Sequence, residues 1–277
     1  MKIFDLHNDL PTLGLTMGTS EREREKLYRS YVPHRVVSVF WTSLLKENAL
    51  PFIKTHIEKH RLENRLYAVE DLDFIRDETI LSAVASLPLL YAGLTWNGEN
   101  YMGGGAGCET GLTEFGKAVV KELCKNSIIP DSAHLSTKSF YDMSENCNIL
   151  INSHTCLKSI FDHPRNLSDE QIQLILARGG IVGLTLVAQF MGRPEKQGER
   201  KDYVRQVDTF AQKFGIGGLC IGTDFNGTDP ILGLGSYGEF EDLKADLSKL
   251  GYTQDNIERI FYHNADGFFK NYRVSAD

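Results

Sequence analysis

Three histidines in this chain stand where an apolar run stops, and acids stand beside them. Ile3, Phe4 and Leu6 lead into His7-Asn8-Asp9. Alternation along a strand puts residues i and i+2 on one side, so His7 and Asp9 can project together. An imidazole nitrogen beside a carboxylate oxygen is a common way to hold a divalent metal. Taken alone, the pair would equally suit a short surface turn. The same punctuation recurs, however. Leu66 to Val69 ends at Glu70, Ile128 to Ala133 at His134, Asn148 to Ser153 at His154, and Leu219 to Thr223 at Asp224. The other histidines (His34, His56, His60, His163, His263) lie in polar or helical stretches, where a solvated surface is the expectation. Burying so many polar groups at one place requires a compensating partner, and a cation is one. Three imidazoles with the carboxylates of Asp9 and Glu70 exceed the needs of one catalytic zinc with an open position. Two metals about 3.5–4 Å apart with a shared carboxylate use them well, and lower the pKa of a shared water towards neutrality. Hydrolysis is the natural reaction class.

The elements that must carry these residues alternate. Apolar runs at 36–41, 66–69, 89–95, 128–133, 148–153, 181–187 and 219–223 join the first one as eight expected strands. Segments of helical spacing fall between them: Ile53 and Ile57; Leu112, Phe115, Val119 and Leu123; Phe140 and Met143 after Ser136; Ile172, Ile175 and Leu176 after the capping box Ser168-Asp169-Glu170-Gln171; Val204, Val207, Ala211 and Phe214 before Gly215. Strands alternating with helices predict a parallel sheet. Eight of them in 277 residues predict a (β/α)₈ TIM-like barrel spanning 1–277 as a single domain, closed by C-terminal helices. In that fold the strand C-termini meet at one face, where the ionisable residues stand. Gly103-Gly104-Gly105-Ala106-Gly107 lacks a following Gly-Lys-Ser/Thr and reads as a flexible loop without a phosphate cradle.

Composition excludes other classes. A net charge of −7 without a basic block makes nucleic acid a poor partner. Five cysteines without C-x-x-C spacing read as reduced thiols. No membrane-length apolar segment stands at either end, and Asp5 and His7 interrupt the early apolar run, so a cytoplasmic protein is expected, away from membranes.

The ordered set His7-Asn8-Asp9-Leu10-Pro11, Glu70, Asp131-Ser132-Ala133-His134-Leu135-Ser136, Asn152-Ser153-His154-Thr155, Arg165-Asn166-Leu167-Ser168-Asp169 and Gly222-Thr223-Asp224-Phe225-Asn226-Gly227 resembles the membrane (renal) dipeptidase family. The resemblance covers nearly the whole chain. It implies a binuclear zinc barrel, with two Zn²⁺ per chain, that hydrolyses dipeptides. By that likeness His7 and Asp9 bind one zinc, Glu70 bridges, and His134 and His154 bind the other. Arg165 would hold the substrate carboxylate, and Asp224 would be catalytic, beside the attacking water and the substrate amine. Departures stand out. Trp96 occupies the place of a histidine that, in the renal enzymes, helps stabilise the tetrahedral intermediate, which makes Trp96 a candidate substrate contact. Asp71-Leu72 follows Glu70 where relatives often have two glycines, and Gly183-Leu184-Thr185-Leu186 lacks their polar and aromatic group. These departures bear on specificity rather than on the metal ligands.

Three functions remain open on the residues: a dipeptidase, another binuclear-metal hydrolase acting on an amide, a lactone or a phosphoester, and a metal-retaining binding protein without turnover. The expected partner is a small-molecule dipeptide; a homodimer stays open.

Overall fold

Each apolar run becomes a strand because both of its faces are covered: the inner one by other strands, the outer one by helices. The computed structural model describes residues 1–16, 18–30, 34–60 and 65–274. Its strands are β1 (Phe4–Asn8), β2 (Arg35–Trp41), β3 (Arg65–Glu70), β4 (Leu89–Gly93), β5 (Ile129–Asp131), β6 (Asn152–Thr155), β7 (Val182–Leu184) and β8 (Leu219–Ile221). They form one parallel eight-stranded sheet in the order β5-β4-β3-β2-β1-β8-β7-β6. The ends of that order meet. Asp131 bridges Ile151, with Ser132 N donating to Ile151 O at 2.8 Å and Ile151 N to Pro130 O at 3.2 Å. The sheet thus curls into the expected TIM-like barrel.

The helices follow in turn: α1 (Leu13–Thr16) and α2 (Glu21–Ser30) after β1, α3 (Ala49–Lys59) after β2, α4 (Glu78–Ala85) after β3, α5 (Glu114–Lys125) after β4, α6 (Thr137–Asn146) after β5, α7 (Asp169–Ala177) after β6 and α8 (Arg200–Phe214) after β7. After β8 come α9 (Phe240–Lys249), α10 (Gln254–Glu258), a π-helical turn over Arg259–His263, and α11 (Asn264–Val274). Side-chain caps fix where the loops above the barrel end. Ser136 accepts from Ser139 N, and Ser168 and Gln171 satisfy each other's backbone N–H groups as a capping box. Among the described residues, no helix is long and apolar enough to cross a membrane.

Two cores result. Between strands and helices lies a shell that includes Ile53, Val119, Phe140, Ile172, Val207 and Phe210. The other cluster joins Phe4, Val37, Ala68, Ile129, Ile151, Ile181 and Cys220 from the strands to Ala265 and Phe269 of α11. Phe269 stacks on Phe4 with ring centroids 5.6 Å apart, closing the end where β1 begins. The opposite end, where the strands finish, is left to polar groups.

Two sequence expectations need correction. The glycine segment is packed rather than flexible: Gly103, Gly104 and Gly105 are buried. A Cβ on Gly105 would lie 2.0 Å from Trp96 O, and one on Gly104 would lie 2.4 Å from Thr110 O. Backbone approach that close admits only glycine. His56 is also buried, its ring edge-on to Phe40 at 5.2 Å, rather than solvated.

Candidate metal centre

β1 carries one more residue than β2 over the same span, Asp5 pairing with Val36 and Asn8 with Ser38. Such a bulge resets the side-chain alternation and re-aims the residues beyond it. Asp5 and Asn8 both reach the Tyr237 hydroxyl, whereas His7 turns to the barrel mouth. There its Nε2 lies 3.3 Å from Asp9 Oδ2 and 3.4 Å from Glu70 Oε2. The same Glu70 oxygen lies 3.2 Å from His134 Nε2 and 3.9 Å from His154 Nε2. A single carboxylate oxygen therefore faces three imidazole nitrogens from β1, the β5 end and β6. His7, Glu70 and His154 form one set whose ligand atoms lie within 4.8 Å of one another, and His7, Asp9 and Asp224 form a second.

Backbone strain accompanies the placement. His134 (φ 64°), Asp224 (φ 63°), Asn226 (φ 69°) and Asp71 (φ 69°) all take left-handed conformations at strand ends. Such conformations are held only where the surroundings over-determine them. The Asp71 carboxylate is tied to Asp73 N, Ser43 Oγ and Asn100 Nδ2. Asp224 N donates to His7 O at 3.0 Å, and Gly227 packs on both acids so closely that a Cβ would lie 2.3 Å from Asp9 Oδ2.

Neighbours set the protonation. Burial lowers the His7 pKa, but Asp9, Glu70 and Asp224 outweigh it and carry it up to about 10. Burial raises the Glu70 carboxyl, yet His134, His7 and Arg165 hold it at about 2. Burial and then Arg165 push His134 down to about 4 and, with His7, push His154 well below its usual value. Asp224 is driven well up by burial and the adjacent Asp9. Its expected ionisation thus depends on positive charge being supplied to the site.

The donor set fits a cation. Asn97 Oδ1 lies 2.9 Å from His134 Nδ1; an amide oxygen only accepts, so that nitrogen carries the proton and Nε2 is a lone pair. Arg165 Nη2 donates to His154 Nε2 at 2.7 Å, so that nitrogen is a lone pair too. These two lone pairs face each other at 2.9 Å, beside the Glu70 oxygen. Among the described residues the His134 lone pair faces only these two acceptors, and a buried acceptor left so costs roughly 1–3 kcal/mol; a divalent ion would satisfy it and could take the two neighbouring acceptors as well.

Arg165 is no surface residue: it is 6% exposed, and it pairs with no carboxylate among the described residues. Its guanidinium lies over Phe190 at 5.3 Å, its Nε has no partner among the described residues, and its loop is pinned by Arg165 N on His163 Nδ1 and Thr155 Oγ1 on Arg165 O. Arg165 and a cation compete for the same His154 lone pair. Trp96, 39% exposed, stacks over His134 at 5.9 Å and meets Trp41 at 5.2 Å. With Val187, Phe190 and Arg165 these rings wall a cleft of about 180 Å³ that opens on Asp9, Glu70, His134 and Asp224. All seven ionisable residues expected at the site meet here, with Trp96 at the rim. Sequence reasoning missed Asn97, Tyr91, Asp131, Ser153 and His163. Asp131 and Ser153 stood inside the family's ordered set but were given no role, His163 was read as surface, and Asn97 and Tyr91 showed only polarity within or just beyond an apolar run.

A Klebsiella pneumoniae protein named for the pqqA 5′ region is 25% identical over 232 residues, 73% of this chain and 86% of the relative. The dipeptidase tcpJ of Claviceps purpurea is 23% identical over 156 residues, 56% of this chain and 37% of its own length. The fold matches a Rhodobacter sphaeroides metallopeptidase, solved with a phosphinate mimic of the dipeptide L-Ala-D-Ala, at a TM-score of 0.87 and 19% identity over 98% of this chain and 99% of that one. Residues 53–272 match the family described as membrane dipeptidase (peptidase family M19), and this chain belongs to that family of metallo-dipeptidases.

Proposed function

We propose that the chain is a zinc-dependent dipeptidase, binding two Zn²⁺ and cleaving the peptide bond of dipeptides or of similar small amides with a free carboxylate. The observation that carries this reading is the Glu70 oxygen facing His7, His134 and His154 at once, with Asp9 and Asp224 adjoining. His7 and Asp9 would hold one ion and His134 and His154 the other, with Glu70 shared between them. Bound there, the ions supply Lewis acidity and a water acidified towards neutrality.

The chain's own groups do the rest. Arg165 offers a planar fork that can take both oxygens of a substrate carboxylate. It sits in the cleft without a carboxylate partner, which supports that use. Asp224 accepts a proton as water adds to the scissile carbonyl, and returns it to the amine nitrogen as the C–N bond breaks. Trp41, Trp96 and Phe190 narrow the cleft to the size of a small substrate and limit water. The Claviceps relative's name and the dipeptide mimic held by the Rhodobacter structure support the substrate class. The free cysteines fit a reducing, cytoplasmic location.

The test is hydrolysis of a panel of L,L and L,D dipeptides by zinc-loaded protein, with a chelator control and elemental analysis. Turnover that the chelator abolishes, at close to two zinc per chain, is expected. A stoichiometry fixed at one after zinc titration would overturn the binuclear reading. Inertness towards every free dipeptide, with metal bound, would favour the binding protein or another hydrolase.

A further inference from the structure

The ligands from opposite sides of the centre share a buried group. Ser153 Oγ lies 2.9 Å from His154 Nδ1 and 3.3 Å from His7 Nδ1, and 2.5 Å from Asp131 Oδ2. Ser153, Asp131, His7 and His154 are all buried. A hydroxyl has one proton and two lone pairs. Asp131 Oδ1 already accepts Ala133 N at 3.1 Å and Ser153 N at 2.9 Å, which leaves Oδ2 for the hydroxyl. A carboxylate only accepts, so the Ser153 proton points to Asp131. The two lone pairs of Oγ are then left for the Nδ1–H groups of His154 and His7.

We infer that Ser153, aimed by Asp131, is a positioning residue that sets both imidazoles at once to the Nδ1–H tautomer, leaving both Nε2 lone pairs for the metals. The two metal sites are thereby coupled through one oxygen that touches neither. The partner of a ligating histidine's second nitrogen fixes its tautomer and orientation, and losing it typically costs about 10–100-fold in metal affinity. His7 has a second neighbour, the Tyr91 hydroxyl at 3.4 Å, which already donates to Leu6 O. His154 has no such substitute among the described contacts of its Nδ1. Loss of the hydroxyl should therefore weaken both sites, that of His154 more.

Asp131→Asn tests the direction of the proton without changing the shape. The two backbone N–H groups keep the amide oxygen at the Oδ1 place, so the NH₂ group falls where Oδ2 was and donates to Ser153. The serine proton must then turn to one imidazole Nδ1, which forces that ring into the Nε2–H tautomer, unfit to ligate. An isosteric Asp→Asn change that inverts a histidine tautomer is the known failure of the serine protease triad.

This inference rests on the metal reading of the site, and the experiment separates the two. Stepwise zinc affinities of wild type, Asp131→Asn and Ser153→Ala are measured by competition with a chromophoric chelator. ¹⁵N NMR of labelled imidazoles in the zinc-loaded proteins reports which ring nitrogen carries the proton. Wild type should show Nδ1–H on His7 and His154, and Asp131→Asn should lose about 10–100-fold in affinity with unchanged circular dichroism. Ser153→Ala should weaken both steps; should it fail to fold, Asp131→Asn carries the test alone. A wild type that takes up no zinc removes the metal reading itself. Wild type that binds zinc while Asp131→Asn binds it equally well, or through Nδ1, overturns the role of Ser153 and Asp131 and leaves the metal reading standing.

Discussion

On the β1 side of the centre one imidazole, His7, faces Asp9, Glu70 and Asp224; on the β5–β6 side two imidazoles, His134 and His154, face each other and Arg165. The residue type is the same and the burial is similar, yet the pKa values diverge. His7 is carried up to about 10, while His134 falls to about 4. Desolvation pushes every one of these rings towards the neutral form. Three carboxylates override it on one side, and a guanidinium reinforces it on the other. On the acid-rich side the carboxylates favour a held proton. On the base-rich side burial and the adjacent Arg165 favour the neutral rings.

The largest effect expected from that division is on Asp224. Asp224→Asn keeps the shape but cannot accept a proton, so turnover should fall by about 10²–10⁴-fold. Metal content by elemental analysis should stay at the wild-type value. Loss of the metals on that change would make Asp224 a ligand and erase the distinction between proton-carrying and ligating acids.

Next comes Arg165 on the other side. Charge-assisted hydrogen bonds contribute about 1.5–3 kcal/mol each, so losing one or two should lower kcat/KM by roughly ten- to 10⁴-fold. The loss should follow the charge of the substrate: Arg165→Met cripples cleavage of a free dipeptide and leaves its C-terminal amide, a poor substrate, almost unchanged. Equal losses for both would mean that Arg165 serves the base-rich side structurally, through His154 and Phe190, and not the substrate.

The barrel and the candidate ligands were legible in the sequence for one reason. Strands buried on both faces are written as continuous apolar runs, and a polar residue that ends such a run lands at the mouth. His7, Glu70, His134, His154 and Asp224 all follow that rule. The bulge in β1 was not legible, because the extra residue shows only against β2. The β1 residue Asp5 bonds Thr223 and Tyr237, and the β5 residue Asp131 bonds Ser153; each carboxylate finds its partner far along the chain, which no local pattern announces. Arg165 carried no signal apart from the family likeness, since a loop arginine is usually exposed, yet it is 6% exposed here. The glycine segment looked slack because composition does not reveal that Trp96 O and Thr110 O crowd it.

A third test sharpens the contrast through pH. A metal takes a neutral imidazole. With its pKa raised from 6.5 to about 10, His7 is protonated in the metal-free protein at neutral pH, so binding must expel that proton. His134, at about 4, has none to give above pH 4. Zinc affinity should therefore climb about tenfold per pH unit for each proton released between pH 6 and 8, and calorimetry in buffers of different ionisation enthalpy should count at least one proton per chain. The release should survive His154→Ala, which is expected to cost the base-rich site alone. A flat profile would show that the acids do not hold His7 charged.

The smallest effect is expected at Trp96, which lies over the base-rich side without touching its nitrogens. The family likeness sets it where a histidine is expected, and that difference motivates the idea of a chain that binds metal and substrate without turnover. The indole is 39% exposed, tilted against Trp41 and stacked over His134, which describes a wall more than an acid or a base. A wall contacts ground state and transition state alike, so removing it raises KM and leaves kcat nearly unchanged. Trp96→Ala should raise KM by about tenfold or less, the worth of roughly 1 kcal/mol of apolar contact, and kcat should stay within about twofold. A fall in kcat with KM unchanged would mean instead that the indole N–H, a donor with no acceptor role, meets charge that develops only in the transition state. Trp96 would then act as a donor to that charge and not as a wall.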